Sequence, residues 1–175
     1  CLPAGWGLMP RADWPQDLIE ATDGGSYLIH GGHLYDGRPL SELQERELTE
    51  LTQTLSNTQP AAVVVSCAFS PTQPDQEDRL VARLAAALPG IRVCASHMMG
   101  GLGLIERENA SILNTSLLAF ADRVANALVE SSEKLGLQCP VYVSQNDGTL
   151  IDLERVRQFP ALTFASGPTN SIRGA

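Results

Sequence analysis

The run AAVVVSCAF, residues 61–69, constrains the fold of this chain more than any other stretch. It is continuous and Val-rich, with no polar alternation, which is the pattern of a strand buried on both faces. A helix-period segment follows from Asp75 to Leu88 and is ended by Pro89-Gly90, and IRVCASH, residues 91–97, reads as a second strand. Strand, helix and strand with short connections predict a right-handed parallel crossover. The fold class is α/β.

The same reading extends in both directions. Three prolines and four glycines break up residues 1–26, which offer little beyond a short helix near Asp13–Ala21, and YLIHGGHLY, residues 27–35, reads as strand, Gly-Gly interruption, strand. Ser41, with Gln44 three residues on, gives a capping-box pattern for a helix striped by Leu43, Leu48, Leu51 and Leu55 and ending near Asn57. From Leu104 to about Leu135 there is no Gly or Pro. Ile105, Ala110, Leu113, Leu117, Phe120, Val124, Leu128 and Leu135 recur near a helical period, which predicts one long helix or two joined at a kink. Beyond Gly136, VYVS and ALTFAS read as two strands separated by a helical stretch around Asp152–Gln158.

A chain of 175 residues can bury about 70% of its extended surface, so a single α/β domain over 1–175 is expected. Its parts are an irregular lead-in (1–40), a strand–helix–strand unit (41–100), and a long helix with a strand pair (101–175). Charge narrows the partners. Lys and Arg total 12 against 20 Asp and Glu, a net charge of −8, which argues against a nucleic-acid backbone. No tract is long and apolar enough for a membrane helix, so a soluble, cytoplasmic protein is expected. Cys1, Cys67, Cys94 and Cys139 lie far apart, which suggests neither a zinc knuckle nor a disulfide framework and predicts buried thiols. Without an initiator Met or a signal peptide, the chain reads as a fragment of something longer.

Several groups could carry chemistry. The turns SQNDGTL (144–150) and FASGPTNS (164–171) offer Ser144, Gln145, Asn146, Asp147, Gly148, Thr149, Ser166, Gly167, Pro168, Thr169 and Asn170 at expected strand ends, where α/β sheets hold ligands. The same residues also make ordinary hairpin and strand-exit turns. His30, His33 and Asp36 could ligate zinc or manganese, although the three-residue spacing puts the histidines on opposite faces of an extended segment. His97 could be a general base or a satisfied structural histidine, with no carboxylate partner assignable. Arg107, beside Glu106 and Glu108 in the first turn of the long helix, could clamp an anion or pair locally. There is no GxSxG, HExxH or Walker loop.

CLPA, YLIHGGHLYDGRPLSEL, VSCAFSP, LIERENASILNTSLL, SQNDGTL and LTFASGPTNSIRGA occur in an order that resembles the hydantoinase A/oxoprolinase family, in its N-terminal to central region. The resemblance implies an actin- and sugar-kinase-like, ribonuclease-H-like fold. It further implies ATP with a divalent ion, Mg or Mn, and opening of cyclic amides such as hydantoins and 5-oxoproline, or carboxylation of ketones, with a hydantoinase B-type partner subunit. Neither Asp-Gly-Gly-Thr-type phosphate loop of such proteins is present, so the segment is expected to be inactive alone. Carried over, the resemblance points to Glu106-Arg107, Asn114, Asn146-Asp147-Gly148 and Ser166-Gly167-Pro168 as cleft residues. Asp147-Gly148 and Thr169-Asn170 stand where many relatives have Gly-Gly and Ala. Two other readings remain: a stand-alone α/β domain that binds a small molecule or a partner without catalysis, and a metal-dependent hydrolase built on His30, His33 and Asp36.

Overall fold

The computed structural model describes residues 10–174. These form seven α-helices and four short strands, and the chain divides into two compact units with the boundary between Thr115 and Ser116, where the sequence suggests one domain. The CLPA segment lies outside the described residues.

In the first unit, α1 (Gln16–Thr22) is followed by α2 (Glu45–Thr58), β1 (Ala62–Val65), α3 (Asp75–Ala87), β2 (Arg92–Ala95) and α4 (Leu104–Ser116). As expected, β1 and β2 are parallel, in the register Ala62↔Arg92 through Val65↔Ala95. The two helices around them are built from matched stripes. Leu48, Leu51 and Leu55 recur at i, i+3 and i+7 on α2, while Leu80, Leu84 and Leu88 recur at i, i+4 and i+8 along α3. All but the partly buried Leu51 join Ile29 and Val65 in one buried core, flanked by Val63, Val81, Ile91 and Val93. Helix α2 stops at Gln59, whose left-handed backbone (φ 47°) lets its N–H reach the Leu55 carbonyl. Helix α3 stops before Pro89, and Gly90 takes φ 102°, which suits a residue without Cβ.

Three local expectations are corrected. Helix α2 is preceded by Gln44 and not capped by Ser41, because the Ser41 carbonyl accepts a hydrogen bond from Gln76 Nε2 and holds that residue outside the helix. The YLIHGGHLY segment is not a strand pair. Gly31 and Gly32 take φ of 152° and 87°, outside the extended region, and pairing shrinks to the single bridge His33↔Pro39. Strand β1 is also less enclosed than its Val run predicts: Ala62, Val63 and Val64 are half-buried, and β2 is its only strand neighbour among the described residues.

The second unit begins with α5 (Leu118–Lys134), separated from α4 by Leu117, so the long apolar stretch is two helices. Strands β3 (Tyr142–Ser144) and β4 (Leu150–Asp152) form an antiparallel hairpin leading into α6 (Leu153–Gln158), which Asp152 caps by accepting from the Arg155 N–H at 2.7 Å. A 3-10 turn (Pro160–Thr163) and α7 (Ser166–Gly174) complete it. The strand expected at ALTFAS is therefore absent. Pro160 opens the 3-10 turn, Ala165 takes φ 53°, and Pro168 sits in the first turn of α7, where a missing N–H costs nothing. On α5 the buried residues are Leu118, Ala121 and Ala125, whereas Phe120, Val124 and Leu128 of the expected stripe are exposed. Helix α6, with Val156 buried, packs back on α5, and Arg157 binds Asn126 Oδ1 at 2.8 Å.

Leu84 is 2% exposed at the centre of the first unit's core. Leu84→Ala is expected to lower unfolding stability by about 2–5 kcal/mol, read as a lower urea midpoint with an unchanged slope.

Candidate functional site

The carboxyl ends of β1 and β2 carry a polar network that takes in His97 and Arg107 but centres on a residue not among the sequence candidates. At its centre is Glu77, on the first turn of α3 and fully buried. Its Oε1 accepts from the Cys67 backbone N–H at 2.6 Å and from Ser96 Oγ at 2.7 Å. Its Oε2 accepts from the His97 backbone N–H at 3.0 Å and lies 2.8 Å from His97 Nδ1. Burial pushes the Glu77 carboxyl up, but these donors, with the Ser70 hydroxyl close by, outweigh it and hold the group below its ordinary value. Ser70 Oγ is itself buried and closes no hydrogen bond in the static structure.

Arg107, on α4, enters the same network from the other side. Its Nε donates to Ser96 Oγ at 2.9 Å, one terminal nitrogen to the carbonyls of Gly101 and Leu102, and the other to the Cys67 carbonyl at 2.6 Å. At 1% exposure the guanidinium is a strut between the end of β1 and the loop before α4, with all three nitrogens engaged. Burial pulls its pKa down, and the charge of Glu77 opposes that. Neighbouring Glu108 is pushed up by burial. Asn114, further along α4, is also buried.

The three proposed metal ligands are not brought together. His30 Nδ1 meets Glu47 Oε1 at 2.6 Å, His33 Nε2 meets Asp75 at 3.2 Å, and Asp36 pairs with Arg38 at 2.8 Å. Each nearest opposite charge comes from a different place, so the segment is pinned in a shape that separates the ligands. Among the described residues no group of three or more His, Cys, Asp or Glu side chains is arranged to hold a metal. Of the cysteines, only Cys67 is buried among those described, and burial pushes its thiol up to about 11, which keeps it from acting as a thiolate near neutral pH. Cys94 is half-buried and Cys139 exposed.

In the second unit the two polar turns do meet. Thr169 Oγ1 donates to the Asn146 carbonyl at 2.8 Å, and Asn170 Nδ2 donates to Ser144 Oγ. Asp147 closes the hairpin loop by accepting from both the N–H and the hydroxyl of Thr149, at 2.8 and 2.7 Å; these bonds hold its carboxyl below the usual range. Gly148 has φ 81°, and a Cβ there would lie 2.6 Å from Arg173 Nε and 2.9 Å from Thr169 Cγ2. The loop is thus an antiparallel hairpin turn, and the second turn is the start of α7; neither ends a parallel strand. The N–H groups of Asn146, Gly148 and Thr149 are used within the unit, on Leu162, Gln145 and Asp147. The loop therefore does not fit a phosphate-binding nest, which needs such groups turned outward.

A groove of about 420 Å³ lies along α2 and α3, between Thr49, Thr52, Gln53, Ser56 and Arg83. Its threonine hydroxyls donate to carbonyls of their own helix, so nothing converges on a ligand there. The network at Glu77 is the better candidate on chemistry.

Residues 19–87 match the family described as the hydantoinase/oxoprolinase N-terminal region, and residues 107–175 match the hydantoinase/oxoprolinase family. The chain is 27% identical over 144 residues to the caprolactamase subunit alpha of Pseudomonas jessenii, covering 82% of this chain and 21% of the relative. The crystal structure of ATP-dependent caprolactamase from that organism superposes with a TM-score of 0.75 over 82% of this chain and 21% of that one, at 27% identity. A nucleotide-free acetone carboxylase structure shares the fold, with a TM-score of 0.68 and 19% identity over 83% of this chain and 21% of its own. The chain spans about a fifth of the length of these relatives.

Gly148→Ala combines a disfavoured φ with a steric overlap, whereas Gly37, at φ 85° with open space around it, isolates the first term. Each substitution is expected to cost about 1–2 kcal/mol from backbone strain, with a further loss at Gly148 only, measured by denaturant unfolding. Glu77 gives a second test. Because its folded-state pKa is depressed, its contribution is present above the ordinary carboxylate pKa and is lost as pH falls through and below that range. Unfolding free energy measured from pH 7 to pH 3 is therefore expected to fall, and to fall less steeply in Glu77→Gln.

Proposed function

The chain belongs to the hydantoinase/oxoprolinase family, and from that premise we propose that it is a segment of an ATP-dependent enzyme that opens cyclic amides, inactive by itself. The observation that carries this reading is the 27% identity to an alpha subunit of caprolactamase, sustained over 82% of the chain with a matching fold. The mixed α/β architecture fits a part of the actin-like fold to which these relatives belong. A lactam or another cyclic amide is the substrate class, and a B-type subunit is the partner, as the designation of the relative as an alpha subunit suggests.

ATP and a divalent ion belong to this proposal for the larger protein. When bound, they supply activation of the amide oxygen by phosphorylation, where charge neutralisation dominates catalysis. The residues described here do not fit the task of holding them: the hairpin N–H groups are used internally and no ligand cluster is present among the described residues. In this reading Asn146, Asp147, Gly148 and Thr149, with Ser166, Gly167, Pro168, Thr169 and Asn170, line the cleft by shape and polarity. Asp147 is the residue that tunes what the cleft accepts. Arg107 and Asn114 support the reading as buried framework of α4. No helix among the described residues is by itself long and apolar enough to cross a membrane; a cytoplasmic location is proposed from the family alone.

The test is ATP turnover by the complete gene product with its partner subunit, with and without caprolactam, hydantoin or 5-oxoproline. Stimulation by at least one cyclic amide is expected, with none from residues 1–175 alone. ATP hydrolysis that no cyclic amide or ketone alters would overturn the assignment.

A further inference from the structure

His97 stands at the carboxyl end of β2, in the 3-10 turn Ser96–Met98, and is the point where the connection to α4 meets α3. Both ring nitrogens face carboxylates on consecutive residues of α3. Nδ1 lies 2.8 Å from Glu77 Oε2, which also accepts the backbone N–H of His97, and Nε2 lies 3.5 Å from Asp78 Oδ1. The two contacts differ in kind. Glu77 is fully buried and held by three other donors, whereas Asp78 is 60% exposed.

A neutral imidazole carries one proton, and the charged one carries two. Neutral His97 satisfies Glu77 through Nδ1–H and leaves Nε2 without a proton to offer Asp78. Protonated, it donates to both and bridges two successive side chains of α3. Other charge reaches it indirectly. From α4, Arg107 reaches Glu77 only through Ser96, while from the end of β1 the Cys67 thiol is neutral and contributes only its backbone N–H to Glu77. The carboxylates are the direct contacts.

The segment that follows is held through main-chain atoms, where the Met99 N–H donates to the Ser96 carbonyl and Arg107 binds the Gly101 and Leu102 carbonyls. Between these anchors and His97 run Met98, Met99 and Gly100, with Met98 and Leu102 exposed. We propose that His97 is a proton-operated latch. When protonated it bridges Glu77 and Asp78 and clamps the 97–103 connection onto α3; when neutral it releases the Asp78 half and loosens the connection. This goes beyond the proposed function and does not rest on it.

Hydrogen exchange of the peptide spanning 97–103, corrected for intrinsic rates, tests the latch between about pH 5.5 and 8, where histidine ordinarily titrates. Protection in the unmodified chain is expected to fall by about threefold as pH rises, the size of a half-exposed ion pair. His97→Gln and Asp78→Asn should each flatten that slope. Asp78 is exposed enough that its variant keeps the fold, so the test stands even if His97→Gln perturbs packing. A flat profile in the unmodified chain, or the full slope retained in either variant, overturns the proposal.

Discussion

Glu77 places a carboxylate where water does not reach it, and the ends of β1 and β2 are arranged to keep it charged. An isolated buried carboxylate would be driven to its neutral form. Here four neighbours approach its two oxygens: the N–H of Cys67, the hydroxyl of Ser96, and the backbone and ring of His97. Each comes from a different point after β1 or β2, so the register of the parallel pair and the position of α3 are fixed by the same set of bonds. Remove the carboxylate and two backbone donors, a hydroxyl and an imidazole lose their acceptor together, which ties the local structure into one unit.

Arg107 completes that unit without pairing directly with Glu77. Ser96 Oγ lies between them, accepting from Arg107 Nε and donating to Glu77 Oε1. The positive charge is dispersed over backbone carbonyls of Cys67, Gly101 and Leu102. A buried guanidinium used in this way gives geometry more than energy, because its planar donors dictate where three separate carbonyls must stand.

The strand–helix–strand core was legible from sequence because its signals are local. The Val run, the leucine stripe and Pro89-Gly90 each report on their own neighbourhood. The misreadings share a different origin. Gly31 and Gly32 read as an interruption between two strands, but their positive φ values leave too little extended chain on either side to pair. ALTFAS has the composition of a strand, yet Pro160 and Pro168 favour helical turns on both sides of it. The two polar turns read from their composition as the ends of strands, whereas the structure makes them a hairpin loop against the start of a helix. Glu77 was invisible for a physical reason: acidic residues in the first turn of a helix ordinarily face solvent and need no partner. His97 drew attention as a residue type, but its carboxylate lies twenty positions earlier, and only the fold closes that gap.

The Arg107 strut has a consequence for how this region can vary. The loop from Met98 to Gly103 is held by its carbonyl oxygens, which every amino acid possesses, and the residue that fixes its path sits outside it on α4. Its shape is therefore encoded remotely. Exposed side chains such as Met98 and Leu102 can drift in identity, and so present new surfaces, without disturbing the carbonyls that Arg107 holds.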